Sequence, residues 1–256
     1  MSALSIGVAA NDEVVLGQNL LASHLAQGQS DRVIVEWGAA SAGCAYNRVL
    51  DQARTDIVVL AHQDVYLPAK WSQCLQDAIA TLAEAGQCWG VLGVVGVEPN
   101  GRIGGRSWSS GLRREIGTVR APPTPVVSLD EMILVVRRSS GLRFDSALPG
   151  FHLYGTDIVQ QALTKRCGAY VIDAPAIHNS VRVRCLGREY RRAYFYLRKK
   201  WWDRLPLQGC IIPITRIGWP MYRHYISVAR QRLKEKPQVQ DRAADPASLA
   251  HRLGYE

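Results

Sequence analysis

Short apolar runs alternate with stretches in which apolar residues recur every three or four positions, and that alternation predicts strands followed by helices. Leu4 to Ala10 reads as a strand. Asn11, Asp12 and Glu13 then suit a helix start, with Val14, Leu20, Leu21 and Leu25 along its stripe. Arg32 to Trp37 predicts a second strand, Cys44 to Ala53 a second helix, and Asp56 to Ala61 a third strand of the buried, unalternating kind. Pro68 fits a first helical turn, after which Trp71, Leu75, Ile79 and Leu82 repeat at helical spacing, and Val91 to Val97 predicts a fourth strand. This order argues for an α/β fold on a mainly parallel sheet.

The pattern changes at residues 98–125, where Gly, Ser, Arg and Pro crowd a segment too long for a simple connection. It reads as a functional loop or a meander at the sheet edge, whose Arg102, Arg106, Arg113 and Arg114 either face solvent or clamp an anion. Met132 to Val136 resumes strand character, Leu153 to Lys165 predicts a helix and Ala169 to Asp173 a short strand. Residues 186–236 read as mostly helical, broken by Pro206, Pro213 and Pro220. The expected organisation is a domain over 1–181, a helical extension over 182–236 and a polar tail over 237–256.

Charge sharpens the middle boundary. The net charge of +9 conceals a stretch, residues 182–236, with 15 Lys and Arg against 3 Asp and Glu and 9 of the 20 aromatic residues. Such a mixture suits an anionic partner: a membrane surface, a phosphorylated acceptor or, less readily, nucleic acid. It equally suits a helix packed on the domain through Trp201 and Trp202 with its cations outward. The 6 cysteines form no C-x-x-C pair, so neither a zinc site nor a disulfide framework is expected. The N-terminal residues lack the basic and long apolar regions of a signal peptide, and no window approaches 18 apolar residues. The expected location is the cytoplasm, with the chain peripheral at the inner face of the membrane.

The most informative segment is DIVVLAHQDVYLP, residues 56–68, in which a buried strand ends and Asp64 follows immediately. Ligands of open parallel sheets bind at that edge, and a carboxylate there can hold Mg2+ or Mn2+ beside substrate phosphates. The same Asp64 could instead cap the helix that Pro68 opens. His178, in a loop after a short strand, is a candidate second metal ligand. Asp157, at a helix start, is a dipole partner or a general base. The absence of G-x-G-x-x-G after the first strand argues against a dinucleotide-dependent dehydrogenase, and the absence of a Gly-rich phosphate loop argues against a nucleotidyltransferase.

The pieces AYNRVLDQARTDIVVLAHQDV, LDEMILVVRR, LRFDSALPGFHLYGTDIVQQALTKRCGAYVI and IHNS, in that order, resemble the nucleotide-diphospho-sugar glycosyltransferases of the GT-A fold, close to glycosyltransferase family 2. The resemblance runs from about Leu4 to Ser180. It implies a Rossmann-like sheet and a metal-dependent hexosyltransferase, inverting, that moves a sugar from a nucleotide-sugar donor to a glycan or lipid-linked acceptor in polysaccharide biosynthesis. His62, Gln63 and Asp64 match the family's D-x-D region, with His62 standing where the first acid usually sits. On that reading Asp64 and His178 hold Mn2+ or Mg2+, and Ala9, Asn11, Glu36, Asn47, His62 and Gln63 line the donor side. Asp130, Glu131 and His152 shape the acceptor side, and Asp157 is the catalytic base. The competing class is a non-catalytic protein that uses 182–236 to bind nucleic acid or an anionic membrane.

Overall fold

Strands without a polar face must be covered on both sides, and here two helical layers do so. The computed structural model describes residues 3–28, 32–118, 122–181, 186–232, 242–243 and 245–256. The first part alternates: β1 (Leu4–Ala10), α1 (Glu13–Gln18), α2 (His24–Gln27), β2 (Val33–Trp37), α3 (Ala42–Gln52), β3 (Ile57–Ala61), β4 (Val65–Tyr66), α4 (Trp71–Glu84) and β5 (Trp89–Gly93). Short strands follow: β6 (Val95–Val97), β7 (Ile103–Gly105), β8 (Ser107–Ser109), β9 (Arg114–Ile116), β10 (Thr124–Pro125) and β11 (Ser128–Leu129). Then come β12 (Ile133–Arg137), α5 (Tyr154–Thr164), β13 (Gly168–Val171), β14 (Ala176–His178), α6 (Arg188–Lys200), α7 (Trp219–Arg232) and α8 (Pro246–Arg252).

Seven strands form the central sheet in the order β10-β13-β5-β12-β3-β1-β2. The pairs β1–β2, β1–β3 and β5–β13 are parallel, whereas β12 runs antiparallel to both its neighbours and β10 antiparallel to β13. The fold is thus the mainly parallel α/β layout that the pattern predicts. Successive side chains of β3 enter opposite cores: Val58 and Leu60 join the layer of α3, α5 and α6, while Val59 and Ala61 join that of α2 and α4. Gly7 lets α3 seat on β1, since a Cβ there would lie 2.3 Å from a methyl of Val49.

Several expectations change in detail. The first helix breaks in two, where the Asn19 side chain turns back to the Val15 carbonyl. The run 91–97 is not one strand: its ends belong to different sheets, and Val94 at the switch accepts from the Arg106 N–H. The described part of the long 98–125 segment is a meander, supplying β7 to a three-stranded sheet (β11-β6-β7) and β8 and β9 to a four-stranded one (β4-β14-β8-β9). Pro220 does not break a helix but sits in the first turn of α7, where a missing N–H costs no bond.

The basic helix α6 buries Tyr190, Ala193, Tyr194 and Leu197 in the core shared with α3 and α5. Residues 237–241 of the expected polar tail lie outside the described residues, but 245–256 are docked: Ala250 and Tyr255 pack with Tyr66 and Ile177. Among the described residues no helix is long and apolar enough to cross a membrane.

Tyr194 is fully buried, and its hydroxyl accepts from the Thr215 N–H and donates to the Pro213 carbonyl. Tyr194→Ala should lower stability by about 4 kcal/mol. The unfolding should remain a single transition, coincident by tryptophan fluorescence and far-UV circular dichroism. A variant that melts in two steps, the main core unaffected, would show that α6 folds separately.

Candidate metal centre

Beyond β3 the His62 N–H bonds the Met132 carbonyl at 3.0 Å, and the Val65 N–H returns to the His62 carbonyl at 3.2 Å. This tight turn lifts Gln63 and Asp64 off the end of the sheet. The two residues that follow, β4, pair antiparallel with β14 so that Val65 faces His178 and Tyr66 faces Ile177. The Asn179 N–H closes the pairing on the Asp64 carbonyl at 2.8 Å, and β8 braces β14 from its other side. His178 is therefore a strand residue, and its Nε2 lies 3.5 Å from Asp64 Oδ1. The helix that follows begins after Lys70, so Asp64 does not cap it.

His62, Asp64 and His178 each bring one ligand atom within 4.8 Å of the other two. The two imidazoles meet edge to face, their centroids 5.7 Å apart. Burial works against a charged Asp64, but the hydrogen bond and charge of His178, with His62 and Arg242 adding to them, hold its carboxyl well below the usual range. For His178 burial pulls downward and the bonded Asp64 outweighs it, so its pKa is raised. His62 is pushed down to about 4, first by burial and then by His178.

His62 has a fixed orientation. Its Nε2 lies 2.8 Å from the Tyr154 hydroxyl, which donates to the Glu131 carbonyl at 3.0 Å. With the phenol proton committed there, His62 Nε2 carries the hydrogen of the pair and Nδ1 keeps the lone pair. Burial, then the charge of Asp130, pushes Glu131 up to about 8, against the N–H groups of Leu153 and Gly155 that bind its carboxylate. Glu131 thus caps the N-terminal turn of α5. Gly155 permits that close start, because a Cβ there would lie 2.3 Å from the Leu129 carbonyl. Arg242 reaches in from the C-terminal segment, its Nη2 3.9 Å from Asp64 Oδ2 and its Nε donating to the Asn179 carbonyl.

The other expected residues fall in three places. Gln63 is tied to the corner after β1: its Oε1 accepts from the N–H groups of Asn11 and Asp12, and its Nε2 donates to Asn11 Oδ1 at 2.6 Å. Ala9 lies near this corner, in register with Glu36. Glu36 and Asn47 are not in the cluster: Glu36 holds Arg48 and Gln52, while Asn47 bonds both the N–H and the carbonyl of Phe144. Asp130 accepts from the Met132 N–H, and its charge acts on both His62 and His178. His152 lies against the Tyr190 ring at 5.4 Å. Of the loop arginines, Arg106 is spent on Asp173 and the Tyr255 ring.

Asp157 occupies a different position from the one expected of a base. It is 1% exposed; Lys200 bonds both its oxygens, Trp201 Nε1 donates to Oδ1 at 2.7 Å and Gln161 Nε2 to Oδ2 at 2.7 Å. Those bonds fill the four lone-pair directions of a carboxylate, leaving none to take a proton from an acceptor. The group instead fastens α5 to the end of α6. Two further residues of the site escaped sequence reasoning. Tyr154 stood inside the quoted GFHLYGTD run without a role, and Arg242 lies in a polar stretch with no periodic signal.

No family model matches the chain. A curated protein of Fuscovulum blasticum, "ATP synthase subunits region ORF 6", is 32% identical over 136 residues, which cover 50% of this chain and 53% of that protein. The chain thus spans about half the length of the curated relative it matches. Among solved structures it is similar to S. aureus TarS, with a TM-score of 0.48 and 15% identity over 81% of this chain and 40% of that one. It is also similar to GalNAc-T7 with UDP, GalNAc and Mn2+ (0.47, 12%, 88% and 54%). The mannosyltransferase PcManGT from Pyrobaculum calidifontis, in complex with GDP-Man and Mn2+, gives 0.47 and 14% over 98% of this chain and 79% of that one. At these identities nothing about substrate passes from those proteins to this chain.

The raised Glu131 has a measurable consequence. Its folded-state proton is held more tightly than in the unfolded chain, so the stability it contributes is complete below pH 4.5 and is lost as pH rises through about 8. In chelator-treated protein the wild type should lose stability relative to Glu131→Gln across that window. A difference that stays flat with pH would show the carboxyl to be ionised throughout.

Proposed function

We propose that the chain is a metal-dependent glycosyltransferase that binds a nucleoside-diphosphate sugar across the end of the sheet. The observation that carries this reading is the assembly of His62, Asp64 and His178 at a strand's C-terminal edge with the Arg242 guanidinium beside them. Open parallel sheets bind ligands at that edge. The donor set fits a divalent ion: Asp64 is held ionised, His62 keeps a lone pair on Nδ1, and two imidazoles with one carboxylate suit Mn2+ better than the harder Mg2+. Such an ion would supply charge neutralisation on the leaving diphosphate. Arg242 adds a second cation for the same phosphates, and Asn11 and Gln63 line the approach to them.

The acceptor is a sugar hydroxyl of a glycan or a lipid-linked glycan. Its oxygen attacks the anomeric carbon as the bond to the diphosphate breaks, and its proton passes to a carboxylate near His62. Asp130 takes that proton, because Asp157 is bonded on all sides and Glu131 caps α5. A single displacement of this kind inverts the anomeric centre. His152 and Tyr190 shape the acceptor side, with α6 closing it. The reaction belongs to hexosyl transfer in polysaccharide synthesis on the cytoplasmic face of a membrane.

The test is the melting temperature of variants with UDP or GDP, with and without Mn2+, since a ligand bound to the native state raises it. The parent should rise most with metal and one nucleotide together. Asp64→Ala should lose that rise, and Arg242→Ala should keep the response to Mn2+ alone while binding the nucleotide about tenfold more weakly, a loss of about 1.4 kcal/mol. Equal shifts in the parent and Asp64→Ala would overturn the proposal.

A further inference from the structure

Six of the twelve large apolar side chains most exposed among the described residues lie between 202 and 226. Three of them share one side of α7. Helix α7 turns Met221 into the core and uses His224 to accept the Leu186 N–H, so its opposite side faces solvent. That outward side carries Trp219, Tyr222 and Ile226, at 58%, 53% and 46% exposure, three and seven residues on from the first. An amphipathic helix with an apolar outer stripe lacks the partner that the stripe calls for.

The stripe continues onto α6. The Tyr222 ring meets Phe195 at 6.2 Å, and the Arg198 guanidinium lies over both Phe195 and Trp202. Arg216 also lies over Trp202, 5.9 Å from its ring centroid, and Arg198 Nε donates to the Arg216 carbonyl at 2.7 Å. Ile217, at 81% the most exposed of these apolar residues, stands in the link between Arg216 and α7, next to Gly218, which lies against the Phe195 ring. The adjacent tryptophans part here: Trp201 turns inward to Asp157, whereas Trp202 stays on the surface at 45%.

We propose that this α6–α7 face docks the protein on an anionic lipid bilayer. Aromatic and aliphatic tips beside the guanidinium groups of Arg198 and Arg216 match the headgroup zone, where Trp and Tyr reside and Arg meets lipid phosphate. The aliphatic tips distinguish this face from a nucleic-acid surface, because isoleucine has no face on which a base can stack. A second copy fits poorly too, since a twofold contact would set the arginines of one copy against those of the other. The surface is separate from the metal centre, and its assignment does not depend on the donor chemistry.

The experiment is sedimentation of the full chain with vesicles of phosphatidylcholine alone or mixed with phosphatidylglycerol, across a salt series. The parent should pellet only with the anionic vesicles, less so at high salt, with its tryptophan emission shifted to the blue. Ile217→Ser combined with Trp219→Ser changes only exposed side chains; it should bind about tenfold more weakly while its melting temperature holds. Asp64→Ala should bind vesicles as the parent does. Absence of binding to either vesicle, equal binding to both, retention of an RNA oligonucleotide instead, or a dimer abolished by the double variant would each overturn the proposal.

Discussion

Val65 and Tyr66 meet His178 and Ile177 in a two-residue antiparallel pairing, and the meeting of Asp64 with His178 follows from it. Asp64 immediately precedes one strand and His178 ends the other, so the pairing that fixes the backbone also fixes their 3.5 Å separation. Two strand residues do not hold by hydrogen bonds alone, each worth about 1 kcal/mol net. Burial of Val65, Tyr66 and Ile177 secures them, together with β8 on one side and α8 over Ile177. The C-terminal segment is therefore part of the foundation of the site. Asn179 makes this explicit, bonding Asn19 of the first helical layer and Ala243 of that segment with the same side chain.

Charge in the site gathers around His62. Asp64 meets the His178 imidazole and the Arg242 guanidinium. Asp130, whose charge acts on both His62 and His178, stands next to Glu131, which is raised by burial and by that neighbour. Tyr154 joins His62 to the Glu131 carbonyl at the start of α5. Further along the same helix Asp157 holds Lys200 and Trp201. Helix α5 thus connects the candidate metal centre to α6, the helix whose outer surface carries the exposed aromatic and basic face.

The sheet was legible because its strands are continuous apolar runs, such as 57–61, and its helices have one apolar stripe, as in α4. Asp64 and His178 were legible for a related reason: each stands at the end of an apolar run, where a polar side chain has no core to enter. Their pairing was not, since a two-residue strand has no period and its partner lies more than a hundred residues away. Asp157 shows the limit most clearly. Its place at a helix start suits a base, an N-terminal dipole partner or an ion pair, and only the fold brings Lys200 to it. Arg242 and α8 fall in a stretch without a periodic pattern, in which Ala250 and Tyr255 become informative once Tyr66 and Ile177 are placed against them.

The central claim is that the β4–β14 pairing builds a divalent-metal site, and Mn2+ binding followed by the loss of the free-ion electron paramagnetic resonance signal tests it most directly. The account expects the parent to take up a single Mn2+ per chain, and His178→Ala, its circular dichroism unchanged, to take up none at the same concentrations. Uptake undiminished in a folded His178→Ala would contradict it, because the ion would then be held somewhere other than between these strands.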